Sequence, residues 1–264
     1  MVLAAGRGTR MQRGGTGKEG LTPEQARAAQ SGLKALMPVG RPFLDFVLSA
    51  LADAGVTDVC VVIASGVSPI RDRYEREARP IRLRVSFAEQ SAARGTANAL
   101  LTARRFAGDD AFLVLNADNY YPVEALRAMC ECGAPCAAAF DRDALVRLGN
   151  IPEERVREYA VLAEDADGFL SDIEEKPSSL GARRSPLLVS MNLWSFTTDI
   201  FPACEAVTPS ARGELELPEA VCLSIREHRS RIHAVHLACG VLDLSRPEDV
   251  AVVSQRLRAV RVSL

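Results

Sequence analysis

No stretch of this 264-residue chain approaches the roughly 18–20 uninterrupted apolar residues of a membrane-spanning helix. The opening Met1-Val2-Leu3-Ala4-Ala5-Gly6-Arg7 reaches a charge too soon to form the apolar core of a signal peptide. A basic excess is also missing: Lys plus Arg number 32 against 34 for Asp plus Glu, a net charge of −2. Nucleic-acid coats and polybasic membrane binders normally carry that excess, so neither partner is expected. Positive charge that binds a substrate must then be local. The seven cysteines are odd in number and scattered, unlike the dense even sets of secreted disulfide frameworks, which predicts reduced thiols. Cys130, Cys132 and Cys136 do cluster, but as C-x-C-x₃-C with no histidine nearby in sequence. That spacing suits the end of a helix running into a strand over 135–140 better than a zinc site. There are no internal repeats and no linker long enough to separate free domains. Together these absences predict a soluble, cytoplasmic protein of one domain.

What is present is an ordinary globular composition, 48% hydrophobic and 25% charged. Short apolar runs alternate with longer amphipathic stretches, the pattern of a mostly parallel sheet flanked by helices. Strands are predicted over 59–64, 83–87, 111–115 and 136–140, with helices over 43–54, 96–106 and 122–130. Beyond residue 150 the texture changes. Segments 159–163, 170–174 and 187–196 read as a β meander, followed by a helix at 216–227, a strand at 231–237 and a helix at 246–258. Segment 12–32 is a long, glycine-rich insertion with Gly14, Gly15, Gly17 and Gly20, and a short helix over 23–30. Asn116-Ala117-Asp118-Asn119 follows a predicted strand, at the carboxyl edge where open α/β sheets bind ligands.

Leu3-Ala4-Ala5-Gly6-Arg7-Gly8-Thr9-Arg10-Met11 is the most informative stretch. A strand runs into a loop whose glycines let backbone N–H groups turn toward a phosphate, and its arginines can add bidentate contacts. A dinucleotide fingerprint is excluded because G-x-G-x-x-G would need glycine where Met11 stands. A P-loop fails as well, since Gly17-Lys18 is preceded by Gln12 and followed by Glu19.

This opening resembles the signature of sugar-1-phosphate nucleotidylyltransferases, and six further motifs follow in the family's order. They are Lys34-Ala35-Leu36-Met37-Pro38-Val39-Gly40-Arg41-Pro42, Gln90 with Gly95-Thr96-Ala97, Asn116-Ala117-Asp118-Asn119, Glu174-Glu175-Lys176-Pro177, Arg212-Gly213-Glu214-Leu215-Glu216-Leu217-Pro218, and Leu242-Asp243-Leu244. The resemblance spans residues 2–250. It implies one α/β domain with a Rossmann-like nucleotidyltransferase fold: a mixed, mostly parallel central sheet flanked by helices, with a sugar-binding β meander in the second half. Residues 1–150 would form mainly the nucleotide-binding half and 151–264 mainly the sugar-phosphate half.

The implied reaction joins an NTP to a sugar 1-phosphate and releases pyrophosphate, with Mg²⁺. By the same resemblance Leu3, Ala5, Gly6, Gly8 and Thr9 wrap the nucleotide, and Arg10 holds its β- and γ-phosphates. Lys34 neutralises the α-phosphate or the incoming phosphate. Gln90, Gly95 and Thr96 read the base. Ala160, Glu175, Lys176 and Asn192 face the sugar phosphate, and Asp118 and Asp243 hold the metal.

The residues themselves support the aspartates, because each ends an apolar run with no cation close in sequence. A buried carboxylate there needs a charge or a metal; the competing reading is a turn or helix cap. Gln90 can instead be a surface loop residue, and Asn192 a satisfied buried amide. The sequence departs from the family at Ala117, Ala160 and Leu193, which replace common glycines and would narrow the sugar pocket, and at Ser245-Arg246. The insertion, carrying Arg13 and Lys18, is expected to act as a lid over the triphosphate. No β-helix repeat follows residue 250, which argues against a second, acyltransferase activity. Homo-oligomerisation is implied only by analogy. A non-catalytic regulatory homologue that binds nucleotide sugars is the rival reading.

Overall fold

Strands buried on both faces must be apolar along their whole length, and β2 (Asp58–Ala64) is the clearest case, with Val59 to Ile63 all buried. The structure is a computed structural model and describes residues 1–13, 20–133, 135–178 and 186–264. Before β2 come β1 (Val2–Leu3), α1 (Thr9–Arg13), α2 (Pro23–Ser31), a 3₁₀ turn at Lys34–Leu36 and α3 (Phe43–Asp53). After it follow α4 (Pro69–Asp72), β3 (Arg84–Gln90), α5 (Thr96–Thr102), α6 (Arg104–Ala107), β4 (Phe112–Asn116), β5 (Asn119–Tyr120), α7 (Val123–Glu131), β6 (Cys136–Asp141) and α8 (Arg142–Leu148). The expected helix over 96–106 is thus broken at Ala103, whose backbone (φ −92°, ψ 7°) leaves the helical region.

The second half adds a 3₁₀ turn at Glu153–Glu158, β7 (Ala160–Glu164), β8 (Leu170–Glu174), β9 (Leu188–Phe196), α9 (Ile200–Ala206), α10 (Leu217–His228), β10 (His233–Leu237), β11 (Leu242–Asp243) and α11 (Asp249–Leu257). The main sheet runs β10-β6-β9-β4-β1-β2-β3. The neighbours β4-β1-β2-β3 and β10-β6 are parallel, whereas β9 runs antiparallel between β6 and β4. This is the mixed, mostly parallel sheet that was expected. β7 is the middle strand of the antiparallel set β8-β7-β9. A strand from the second half of the chain therefore lies inside the sheet built by the first.

Side chains alternate across each strand, and the core divides accordingly. Val59, Val61 and Ile63 pack on one face with α3, α7 and α11; Cys60 and Val62 pack on the other with α5, α9 and α10. Among the described residues no helix is long and apolar enough to cross a membrane. The seven cysteines are free. Cys130, Cys132 and Cys136 do span a helix end and a strand start, but folding brings His233, the ladder partner of Cys136, to 3.6 Å from Cys132 Sγ.

Within the insertion, α2 begins with a reciprocal Thr22–Gln25 capping box, and Gln25 Nε2 also donates to Pro38 O at 2.8 Å. That helix is docked on the body of the protein. Gly14, Gly15, Gly17 and Lys18 lie outside the described residues.

Candidate functional site

The loop after β1, the end of β3 and the end of β4 meet at the carboxyl edge of the sheet and line a cavity of about 430 Å³. Every residue expected to bind nucleotide is on its wall: Leu3, Ala5, Gly6, Gly8, Thr9, Gln90, Gly95 and Thr96. A second cavity of about 320 Å³ adjoins it. Ala160, Glu175, Lys176 and Asn192, expected on the sugar side, all line this second chamber, as do Arg10 and Asp243. Lys34 and Asp118 line both.

Local backbone geometry explains several placements. Gly8 has φ +60°, and a Cβ there would lie 2.3 Å from Gly32 O, so only glycine lets the loop after β1 pack against the end of the insertion. Gly95 has φ +106°, and a Cβ would meet Leu215 O at 2.4 Å. This close approach lets Leu215 pair with Arg94 O and Ala97 N and brings the Arg212–Glu216 segment over the cleft. The Thr96 hydroxyl accepts from Leu217 N at 2.9 Å, so it also fastens the start of α10. Asn192 takes the left-handed conformation (φ 57°) that asparagine tolerates better than most residues. It lies between the stretch of β9 paired with β7 and the stretch paired with β4. Lys176 is likewise left-handed, at φ 45°.

Asp118 has the cation that its local sequence lacks. Lys34 Nζ, 84 positions away, lies 2.6 Å from Asp118 Oδ2. Burial works against the lysine charge, but Asp118, with Asp243 behind it, outweighs burial and raises the Lys34 pKa above its ordinary value. Asp243 faces Asn119 across the short β11–β5 ladder, and Leu244 N donates to Asp118 O at 2.9 Å. This pairing brings the two aspartates together.

Asp243 is 2% exposed and carries donors on both oxygens. Arg155 Nη2 (2.8 Å) and Tyr159 OH (3.0 Å) donate to Oδ2, while Ser245 Oγ (2.9 Å) and Asn119 Nδ2 (3.4 Å) donate to Oδ1. Arg155 also donates to Asp249 at 2.6 Å. Burial, then the neighbouring charges of Asp118 and Asp249, push the Asp243 carboxyl up to about 6 against the pull of Arg155 and Lys34. The sequence reading missed Arg155, Tyr159, Asp249 and Asn150, whose side-chain amide pairs with the Asp243 backbone N–H and carbonyl (2.7 and 2.8 Å), and their local surroundings carry no motif that would have found them. The charge that each carboxylate was expected to need comes from far along the chain, Lys34 for Asp118 and Arg155 for Asp243.

Arg10 is 46% exposed and points toward Glu158, with 4.0 Å between the charged groups, while Arg246 Nη2 grips Glu158 at 2.6 and 2.8 Å. Gln90 is buried, and its amide nitrogen donates to Gly95 O (3.1 Å) and Asn98 Oδ1 (2.9 Å). The surface-loop alternative for Gln90 is thereby removed. Burial and the nearby Glu216 raise the pKa of Glu175. Ala117 and Ala160 do line the chambers, but Leu193 is 1% exposed within the core, so it does not narrow the sugar pocket.

Among the described residues no cluster of three or more His, Cys, Asp and Glu side chains is arranged to hold a metal. Asp118 and Asp243, expected to hold the metal, both line the second chamber. Two hard oxygen groups on the wall of an open chamber fit Mg²⁺, which binds through one or two carboxylates together with substrate phosphates.

Comparison with known proteins gives the family and the fold. A sequence model of the family described as nucleotidyl transferase matches residues 1–238. UTP–glucose-1-phosphate uridylyltransferase AglF of Haloferax volcanii is 29% identical over 262 residues, covering 98% of this chain and 96% of that protein. A glucose-1-phosphate thymidylyltransferase of Streptomyces griseus is 31% identical over 222 residues, covering 84% of this chain and 55% of its own length. The chain thus spans nearly all of the first relative and about half of the second. The crystal structure of a UDP-glucose pyrophosphorylase complexed with UDP-glucose superposes with a TM-score of 0.70 at 21% identity, over 99% of this chain and 100% of that one, and so shares the fold. With the family model matching from the first residue to β10, this chain belongs to the nucleotidyl transferase family and is an enzyme of the nucleotidyltransferase class.

Proposed function

We propose that the protein transfers a nucleotidyl group from an NTP to a sugar 1-phosphate, giving an NDP-sugar and pyrophosphate. The observation that carries this reading is the division of the cleft. Leu3, Ala5, Gly6, Gln90 and Gly95 line the first chamber alone, Ala160, Glu175, Lys176 and Asn192 line the second alone, and Gly8, Thr9, Thr96, Lys34 and Asp118 belong to both. The phosphate oxygen of the sugar must attack the α-phosphorus where the chambers meet. Bringing two anions into line calls for positioning and charge neutralisation more than covalent chemistry.

In this reading Gly6, Gly8 and Thr9 wrap the triphosphate, and Arg10, on the wall of the second chamber, reaches back to its β- and γ-phosphates. Lys34 neutralises charge at the reacting phosphates. Lys176 grips the sugar phosphate, while Glu175 and Asn192 accept or donate to sugar hydroxyls. Gln90 has committed its N–H donors to Gly95 and Asn98, so its carbonyl oxygen is what it offers a base. That suits the ring N–H of uracil, thymine or guanine. Asp118 and Asp243 would hold Mg²⁺, which supplies neutralisation of triphosphate charge when bound. A reaction drawing on NTP suits the cytoplasm.

The named relatives make UTP and dTTP with glucose 1-phosphate the first pairs to assay. The test is pyrophosphate release across a panel of NTPs and sugar 1-phosphates, which should depend on both substrates. Nucleotide-sugar binding in a thermal-shift assay without pyrophosphate release from any pair would instead support the regulatory reading.

A further inference from the structure

Each of the two candidate metal-binding aspartates has a protein cation on it. Lys34 Nζ lies 2.6 Å from Asp118 Oδ2, and Arg155 Nη2 lies 2.8 Å from Asp243 Oδ2. The two carboxylates and their two cations carry no net charge between them. Asp249 adds a carboxylate behind them, but it is held by Arg155 and by the backbone N–H groups of Ser245 and Arg246. Asp243 is also saturated, since a carboxylate offers about four lone-pair sites and Arg155, Tyr159, Ser245 and Asn119 donate to it. A divalent ion arriving alone would meet little excess of negative charge and would have to displace a cation already in place. Both pairs are partly or fully withdrawn from water, which strengthens their attraction.

The two cations are not equivalent. Arg155 is buried, and its second nitrogen is tied to Asp249 at 2.6 Å, so it cannot leave Asp243 without breaking both contacts. Lys34 is a point charge on a flexible stem, its side chain 17% exposed, and it lines both chambers. A phosphate in either chamber could take its ammonium group over from Asp118.

We infer that Lys34 is an exchangeable counter-ion that keeps bare divalent cations off Asp118, so that the metal enters this site together with the nucleotide. The inference rests on the function proposed above. The triphosphate offers Lys34 a new anion in the same step that frees the Asp118 carboxylate. A metal–triphosphate complex retains net negative charge, so the exchange leaves no cation unpaired. Arg155 stays on Oδ2 and keeps Asp243 oriented, so a metal held by Asp118 would reach Asp243 only at Oδ1, by displacing the longest of its four contacts, that of Asn119 at 3.4 Å.

The test uses Mn²⁺ as the probe, followed by electron paramagnetic resonance on the full chain with and without UTP or dTTP. Wild type should bind Mn²⁺ weakly alone and much more tightly with nucleotide. Lys34→Met, which keeps side-chain length without the charge, should bind Mn²⁺ alone at least about tenfold more tightly than wild type, the size expected for removing one competing charge contact. Lys34→Gln should behave likewise, and Lys34→Arg should remain weak. Adding Asp118→Asn to Lys34→Met should abolish the gain. Near-ultraviolet circular dichroism confirms that each variant is folded. The inference is overturned if folded Lys34→Met and Lys34→Gln bind Mn²⁺ no better than wild type, or if wild type binds it equally well without nucleotide. A gain in Lys34→Met while wild type releases no pyrophosphate with any substrate pair would keep the exchange and remove the catalytic reading.

Discussion

Asp243 stands opposite Asn119 in the antiparallel ladder of β11 and β5, 124 positions away along the chain, and this register sets both Asp118 and Asp243 on the wall of the second chamber. The two aspartates differ in what their loss would expose. Asp243→Asn leaves the buried Arg155 leaning on Asp249, and we expect a loss of about 2–3 kcal/mol, below the roughly 3–5 of a fully orphaned buried charge. Asp118 is 24% exposed and Lys34 can turn to solvent, so Asp118→Asn should cost about 1 kcal/mol or less. Both variants should raise the Mg²⁺ needed for pyrophosphate release, Asp118→Asn more. Urea unfolding measures the first difference; a larger stability loss in Asp118→Asn would refute it.

Arg10 reads as a functional rather than a structural cation, because it is half exposed and its contact with Glu158 is long. Arg10→Ala should leave the unfolding midpoint nearly unchanged. It should lower kcat/KM by about 3 kcal/mol in transition-state terms, the order seen when one preorganised electrostatic donor is removed. Steady-state pyrophosphate release checks this, and near-normal turnover would remove Arg10 from the site.

The insertion offers a competing basic residue in Lys18. Lys34 is the lysine paired with Asp118 at the junction of the chambers. Lys18→Ala is therefore expected to be much milder than Lys34→Ala in kcat. The reverse order would move the phosphate grip into the insertion.

The glycines of the site should separate into two classes. Gly95→Ala forces a Cβ against the Leu215 backbone at positive φ and should cost about 1–3 kcal/mol of stability. A methyl group at Gly6 would meet nothing within 4 Å, so Gly6→Ala should change stability by less than about 0.5 kcal/mol. If the nucleotide approaches this loop, Gly6→Ala should still raise the KM for NTP. Thermal unfolding and nucleotide titration on the same preparations distinguish the classes.

Glu175 sets a pH dependence. Burial and Glu216 raise its pKa, so the folded state binds this proton more tightly than the unfolded chain does. The stability it contributes is complete below the unfolded value of 4.5 and is lost as pH rises through the raised folded value. Glu175→Gln should accordingly resist urea better than wild type at about pH 7, with the difference shrinking toward about pH 4. Equal gains at both pH values would show that the charge is not responsible.

Much of the architecture was legible because its causes are local. Val59 to Ile63 can only be a buried strand, and the two-glycine loop after Leu3 announces a backbone turned toward an anion. The residues of the ordered motifs also line two adjoining chambers that share part of their walls. The interior position of β9 was not legible. An apolar run states that a strand is buried, but not which strands flank it, and β9 is equally apolar beside β6, β4 or β7.

The sequence by itself determined which residues could serve a phosphate, because glycine offers its backbone and arginine and lysine their charge through properties each carries alone. Only the tertiary structure decided their counter-charges. Asp118 answers to Lys34 and Asp243 to Arg155 because β5 pairs with β11 and the Glu153–Glu158 turn packs beneath them. Likewise Cys132 met a histidine that its sequence neighbourhood lacks. Electrostatic pairing depends on distance in space, and in this chain the partners that set each charge lie tens of residues apart.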